Sequence, residues 1–205
     1  MNDMTDEQLT RRRLLELGIV MPLPLVLAAA AGRTENAGAA LDATPACDDG
    51  DETPEQTEGP YWTPRSPRRR SLLSAGMPGT RLVVAGTVLT TSCKAVPGAV
   101  LDFWQADAKG VYDNRGYRLR GHQLTDSSGR YRLETVVPGL YPGRTRHVHV
   151  KVKAPRQPVL TTQLYFPAES GNQSDGLFDP ALLVRVTKSA PSLWTARFDF
   201  VVDLG

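Results

Sequence analysis

Tyr141-Pro142-Gly143-Arg144-Thr145-Arg146-His147-Val148-His149-Val150-Lys151-Val152 reads as a turn running into a β-strand. From His147 onward polar and apolar residues alternate, the period of a strand whose two faces differ. Residues i and i+2 of a strand point the same way, so His147 and His149 share a face with neighbouring imidazoles. Two such rings on a rigid strand can act as paired ligands to one metal ion. The bland alternative is an outward polar face on which two histidines happen to fall. The strand by itself does not choose between these readings.

The flanking sequence repeats the β pattern. Strands are expected over 82–89, 99–105, 129–136 (after the Asp126-Ser127-Ser128-Gly129 turn), 160–166, 181–186 and 195–202. Short strands at near-regular spacing, broken by Gly, Pro, Asp and Ser turns and free of a convincing amphipathic helix, predict an all-β fold. The expected architecture is a β-sandwich of mainly antiparallel strands over residues 81–205. Residues 41–80 read as an extended lead-in and linker, acidic around Asp48-Asp49-Gly50-Asp51-Glu52. Within them Tyr61 and Trp62 follow a Gly-Pro turn and either cap the core or line a cleft.

Residues 1–40 do not read as part of the fold. Arg11-Arg12-Arg13 precedes an apolar run from Leu17 to Ala31 interrupted by Pro22 and Pro24, and small residues such as Ala37-Gly38-Ala39 follow. A basic start, a moderate apolar run and a small-residue exit predict a twin-arginine-type export signal. The apolar run is too short and proline-broken for a stable membrane anchor. Export to a periplasmic or extracellular space fits the two cysteines, Cys47 and Cys93, as a disulfide, with two buried thiols as the alternative. The 205 residues carry a net charge of +2, which gives no global field for nucleic acid. The basic run Arg65 to Arg70 is proline-flanked and reads as a solvated loop.

A histidine pair needs further ligands, and tyrosines stand in the right places. Tyr141 lies in the turn before His147, and Tyr112 ends the Lys109-Gly110-Val111-Tyr112 turn after an alternating strand. A phenol has a pKa of about 10, so at neutral pH only a strongly acidic metal ion keeps it ionised. Phenolate is a hard anionic donor that suits a trivalent ion far better than zinc or copper(I).

These stretches resemble the intradiol ring-cleavage dioxygenases, the catechol and protocatechuate dioxygenase family, and most of all their short exported forms. The resemblance rests on Thr57-Glu58-Gly59-Pro60-Tyr61, residues 98–107 with Gly110-Val111-Tyr112, Arg120 to Asp126, Pro138-Gly139-Leu140-Tyr141-Pro142, Arg144 to His149, and Thr162 to Phe166. It implies a non-haem Fe(III) held by Tyr112, Tyr141, His147 and His149, with Tyr141 and His149 axial. It implies that O2 cleaves a catechol-type diol to a cis,cis-muconate-type diacid, with Tyr141 leaving the iron to take up a phenolic proton. Arg144 matches an arginine that stabilises developing negative charge on the ring, and Gln163 matches a glutamine beside the pocket.

Arg146 falls on the opposite strand face and reads as structural. His122 reads as a bystander, and Trp104, Tyr117, Tyr131 and Tyr165 as core or pocket-wall aromatics. Tyr117 is the one rival to Tyr112. The larger members' helical dimerisation region has no counterpart, which leaves a homo-oligomer open. The competing expectations are a non-catalytic transthyretin-like sandwich and an exported copper- or zinc-binding module.

Overall fold

The computed structural model describes Cys47 and residues 51–204. The expected export signal lies outside the described residues. No α-helix occurs among the described residues, and none of their helices is long and apolar enough to cross a membrane. Nine strands follow in order: β1 (Arg81–Thr90), β2 (Val100–Trp104), β3 (Arg120–Leu124), β4 (Arg130–Val136), β5 (His147–Lys153), β6 (Val159–Tyr165), β7 (Arg185–Ala190), β8 (Leu193–Arg197) and β9 (Phe200–Val202). Two 3-10 turns, Ser170–Gln173 and Pro180–Leu182, lie between β6 and β7.

The strands form two sheets, as a sandwich requires. One runs β4-β1-β8-β7 with β9 also on β1, and the other runs β3-β2-β5-β6. Pairing is antiparallel throughout except that β8 and β9 lie parallel to β1. Leu82, Val84 and Leu133 from the first sheet meet Leu101, Phe103, Val148, Val150 and Leu164 from the second, all fully buried. Each such side chain contributes about 1.5–3 kcal/mol by leaving water.

Three departures from the expected strands have local causes. β3 reads Arg-Gly-His-Gln-Leu, with no apolar alternation to announce it. The expected strand over 181–186 begins as a 3-10 turn because Pro180 opens it and the Asp179 side chain caps the Ala181 amide. The expected strand over 195–202 is two strands, broken at Phe198 and Asp199. There the chain crosses β1 at Gly86, where a Cβ would lie 1.7 Å from the Phe198 carbonyl oxygen. Asp199 holds the crossing by accepting a hydrogen bond from the Thr87 amide at 2.6 Å.

β5 is the strand that positions the site. Val148, Val150 and Val152 face the core, while His147 and His149 face the other way yet are buried too. An outward polar face is thereby excluded, because the sheet's second face is covered by the chain before β1. That cover is pinned along its length. The Thr53 amide donates to Val201 O at 2.9 Å and the Gln56 amide to Thr161 O at 2.7 Å. Arg68 bridges to His122 and Ser71 to Glu134, and Leu72 enters the core. Cys47 and Cys93 form a disulfide with Cα atoms 5.3 Å apart, tying the start of this cover to the turn after β1.

Candidate metal centre

The covered face of β5 brings His147 and His149 together with ring centroids 4.8 Å apart and planes at 82°. His147 donates from Nδ1 to the Thr145 carbonyl at 2.7 Å, which leaves Nε2 with its lone pair free. That Nε2 stands 3.0 Å from the Tyr112 hydroxyl. His149 is oriented by stacking, since the Trp104 ring lies parallel to it at 4.8 Å and 9°. The two residues are cross-strand partners, and Gln163 of β6 pairs with His149 on its other side. Gly59 passes over the same imidazole, and a Cβ there would lie 3.6 Å from its Cε1. Nδ1 of His149 is buried without a hydrogen-bond partner among the described residues, as is Nε1 of Trp104.

Two loops deliver the tyrosines, and they cross at glycines. In the loop after β2, Asp107 accepts from the Lys109 and Val111 amides at 2.9 and 3.0 Å, turning the chain toward Tyr112. Gly110 has φ +83° and would place a Cβ 2.0 Å from the Leu140 oxygen, so only glycine fits. The Gly139 amide donates to Asp107 O at 2.7 Å, fastening the Tyr141 loop to the Tyr112 loop. The Tyr112 and Tyr141 rings meet edge to face at 5.7 Å. A third phenol joins them: Tyr61 stacks on Tyr112 at 4.6 Å and shares a 2.5 Å hydrogen bond with the Tyr141 hydroxyl. Tyr61 lines the cleft instead of capping the core.

Arg120 locks this arrangement from below. Its guanidinium is almost fully buried and donates to Asp113 O, at 3.0 Å from Nε and 2.7 Å from Nη2, and to the Tyr61 carbonyl. One cation thus joins the loop carrying Tyr112 to the segment carrying Tyr61.

Burial sets the protonation of the donors. His147 is pushed down to about 4 by desolvation, and His149 well below its usual range by desolvation and by His147 beside it. Both are neutral donors at neutral pH. The Tyr112 phenol is raised by desolvation, with Arg144 and Arg120 acting against the rise. Tyr61 is raised chiefly by its hydrogen bond to Tyr141.

One pair of these side chains is spaced as two ligands of a single metal ion would be. Two adjacent ligands at right angles, each about 2.1 Å from an ion, sit about 3 Å apart, the separation found between Tyr112 and His147. Among the described residues no group of three or more His, Cys, Asp or Glu side chains converges anywhere. Two neutral imidazoles with phenols suit a hard, strongly acidic trivalent cation, the kind of ion able to ionise a phenol that burial raises as it does Tyr112.

Arg144 stands at the rim of a cavity of about 440 Å³ lined by Leu140, Tyr141, Arg144, Ser174 and Asp175. Its Nη2 donates to Gln163 Oε1 at 2.8 Å and to the Tyr165 hydroxyl at 3.2 Å. Gln163 is fully buried, and its Nε2 donates to Thr57 O at 3.0 Å. Both ends of this amide are engaged, so it acts on the site through Arg144 and through the segment carrying Gly59 and Tyr61.

The remaining residues singled out in the sequence divide clearly. Arg146 points away and pairs with Glu169 at 2.8 Å. His122 binds the Ser66 carbonyl at 2.8 Å, and Tyr117 is exposed with its hydroxyl on Pro64 O. Tyr131 lies in the core and donates to Phe198 O. Tyr165 belongs to the site, since its hydroxyl meets Gln163 and Leu177 O as well as Arg144. Burial raises that phenol to about 12. Asp175 had no signal in the sequence, and Arg120 and Thr145 fall inside the resembling stretches without a role of their own being read there.

Comparison with known proteins agrees with this architecture. The sequence model of a family described as "Dioxygenase" matches residues 57–202. The dioxygenase domain of a dioxygenase carbohydrate-binding protein fusion from the cellulolytic bacterium Streptomyces sp. SirexAA-E is similar at 55% identity and a TM-score of 0.73, covering 76% of this chain and all of that one. The 3-chlorocatechol 1,2-dioxygenase of Rhodococcus opacus 1CP is similar at 26% identity and a TM-score of 0.68, covering 73% and 72% of the two chains. The protocatechuate 3,4-dioxygenase beta chain of Burkholderia cepacia is 32% identical over 118 residues, 49% of this chain and 50% of its own. The chain spans about half the length of the curated relatives it first matches. Sheet order and the two glycine-crossed loops define a β-sandwich that gathers phenols and imidazoles at one site. The chain belongs to the intradiol ring-cleavage dioxygenase family.

Proposed function

We propose that the chain is a non-haem Fe(III)-dependent dioxygenase that opens a catechol-type diol between its hydroxylated carbons with O2, giving a cis,cis-muconate-type diacid. The observation that carries this reading is the clustering of Tyr112, Tyr141, His147 and His149, with Tyr141 also lining the cavity that Arg144 borders. Those four side chains would hold the iron. When bound, ferric iron would supply a Lewis acid able to polarise the diol and draw electron density from its ring.

The chain's own groups do the rest. His147 and His149 stay neutral because they are buried, so no proton competes for their lone pairs near neutral pH. Ionised by the metal it would bind, the Tyr141 oxygen would accept one diol proton while the other passes to solvent, and the Tyr61 hydroxyl 2.5 Å away would hold that oxygen in place. Arg144 carries the positive charge that faces negative charge developing on the ring, in a setting of low dielectric. Trp104, Tyr61 and Tyr112 wall the centre with aromatic faces and exclude water.

Export through a twin-arginine signal is part of the proposal. Its support is the Cys47–Cys93 disulfide, which suits an oxidising compartment. The functional test is incubation of the iron-loaded chain with a panel of catechols under 18O2. A ring-opened diacid carrying both labelled atoms supports the proposal, and unlabelled or ring-intact products refute it.

A further inference from the structure

Asp175 lies in the loop after the 3-10 turn Ser170–Gln173, and its side chain is only 2% exposed. The Arg144 Nε–H forks onto both of its oxygens, at 3.1 and 2.9 Å. Oδ2 also accepts from the Thr145 amide at 2.8 Å, and Oδ1 from the Leu177 amide at 3.0 Å. The carbonyl of that same Thr145 takes the Nδ1–H of His147. Thr145 is pinned a second time through its hydroxyl, which donates to Asn172 Oδ1 at 2.6 Å.

We propose that Asp175 is a positioning residue: one buried carboxylate aims the Arg144 guanidinium and fixes the peptide that orients His147. This rests on the roles proposed above for Arg144 and His147. The direction of aim follows from the hydrogen bonds. Nε is taken by Asp175 and Nη2 by Gln163 and Tyr165, while Nη1 makes no hydrogen bond to a described residue. Of the guanidinium's donors, Nη1 is therefore the one left for a substrate in the cavity that Arg144 and Asp175 line together. A planar fork held on two sides has no rotamer freedom left, so the third side is aimed before substrate arrives.

Asp175→Asn keeps the shape but replaces an acceptor oxygen with a donor NH2, which faces Arg144 Nε–H, Thr145 N–H or Leu177 N–H as donor against donor. Removing an outer partner of this kind lowers activity by about 10–100-fold. We expect kcat for catechol to fall by that factor with KM little changed. We also expect Arg144→Gln to add little in the D175N background, because the two side chains act as one unit.

A readout that needs no catalysis is the Arg144 Nε–H resonance of the full metal-free chain. It should exchange slowly with solvent in wild type and fast in D175N. Asp175→Glu, which keeps the charge on a longer stem, carries the same test if D175N folds poorly. Unchanged exchange in either variant, or kcat losses that multiply in the double variant, overturns the proposal. A wild-type chain that shows the protected resonance yet cleaves no catechol would overturn the dioxygenase reading and leave the Asp175 clamp standing.

Discussion

Replacing Gly139 with alanine should separate the two loops that bring the tyrosines together. An added methyl would stand 2.3 Å from the Gly110 nitrogen and 2.7 Å from the Ala108 oxygen, where ordinary contact begins at 3.4 Å. Both obstacles are backbone, so no side chain can swing away to make room. The loops must part by about 1 Å, and a misplacement of that size costs on the order of 100-fold in rate. Overpacking of this kind destabilises by about 1–3 kcal/mol, and at about 2–4 °C per kcal/mol in a chain of this size the Tm should fall by roughly 2–12 °C. The assay is a thermal melt together with oxygen uptake on catechol. Gly176→Ala is the control, since a methyl there meets no atom within 4 Å. A G139A protein that melts and turns over like wild type would refute the claim that this crossing sets the site.

Three further outcomes follow from the same geometry. Tyr141→Phe and Tyr112→Phe should each weaken or shift the visible tyrosinate-to-iron absorption of the loaded protein; bands identical to wild type in both would exclude these phenols as ligands. His147 has its pKa lowered from 6.5 to about 4, so the folded metal-free chain resists protonation where the unfolded chain accepts it. Stability should therefore be intact above pH 6.5 and decline by roughly 3 kcal/mol as pH falls toward 4; denaturant titration of wild type and His147→Asn checks this, and equal pH slopes would count against it. Replacing both Cys47 and Cys93 with serine removes a crosslink spanning 46 residues. That should lower stability by about 4 kcal/mol on the chain-entropy view while leaving kcat unchanged, as melts and oxygen uptake would show.

Much of the sandwich could be read from the chain because its strands carry period-two apolar residues. The alternation over Val100 to Trp104 and over His147 to Val152 becomes β2 and β5 with the expected faces. β3 was invisible because its buried residues are Arg120, Gly121 and Gln123, on both faces of the strand, held by hydrogen bonding and close packing and not by apolar character. The break at Phe198 and Asp199 was hidden for a related reason, since the crossing over Gly86 is a tertiary contact with no local signature.

The proximity of Tyr112, Tyr141, His147 and His149 was legible through the resemblance of their turns and strand to a known family, and the fold gathers them. The roles of Arg120 and Asp175 were not legible. Each acts by joining loops far apart in sequence, Tyr61 with Asp113 in one case and Arg144 with Leu177 in the other. Tyr61 fell between these cases, an aromatic after a Gly-Pro turn whose direction only the fold could supply.

On the proposed function, four side chains from two loops and one strand gather around a single ferric ion. Diffraction at the iron absorption edge from crystals of the iron-loaded chain tests it most directly. One anomalous peak is expected within bonding distance of the Tyr112 and Tyr141 hydroxyl oxygens and of one ring nitrogen each of His147 and His149. An iron peak elsewhere, or one bonded to the histidines while both phenols stay remote, would contradict it.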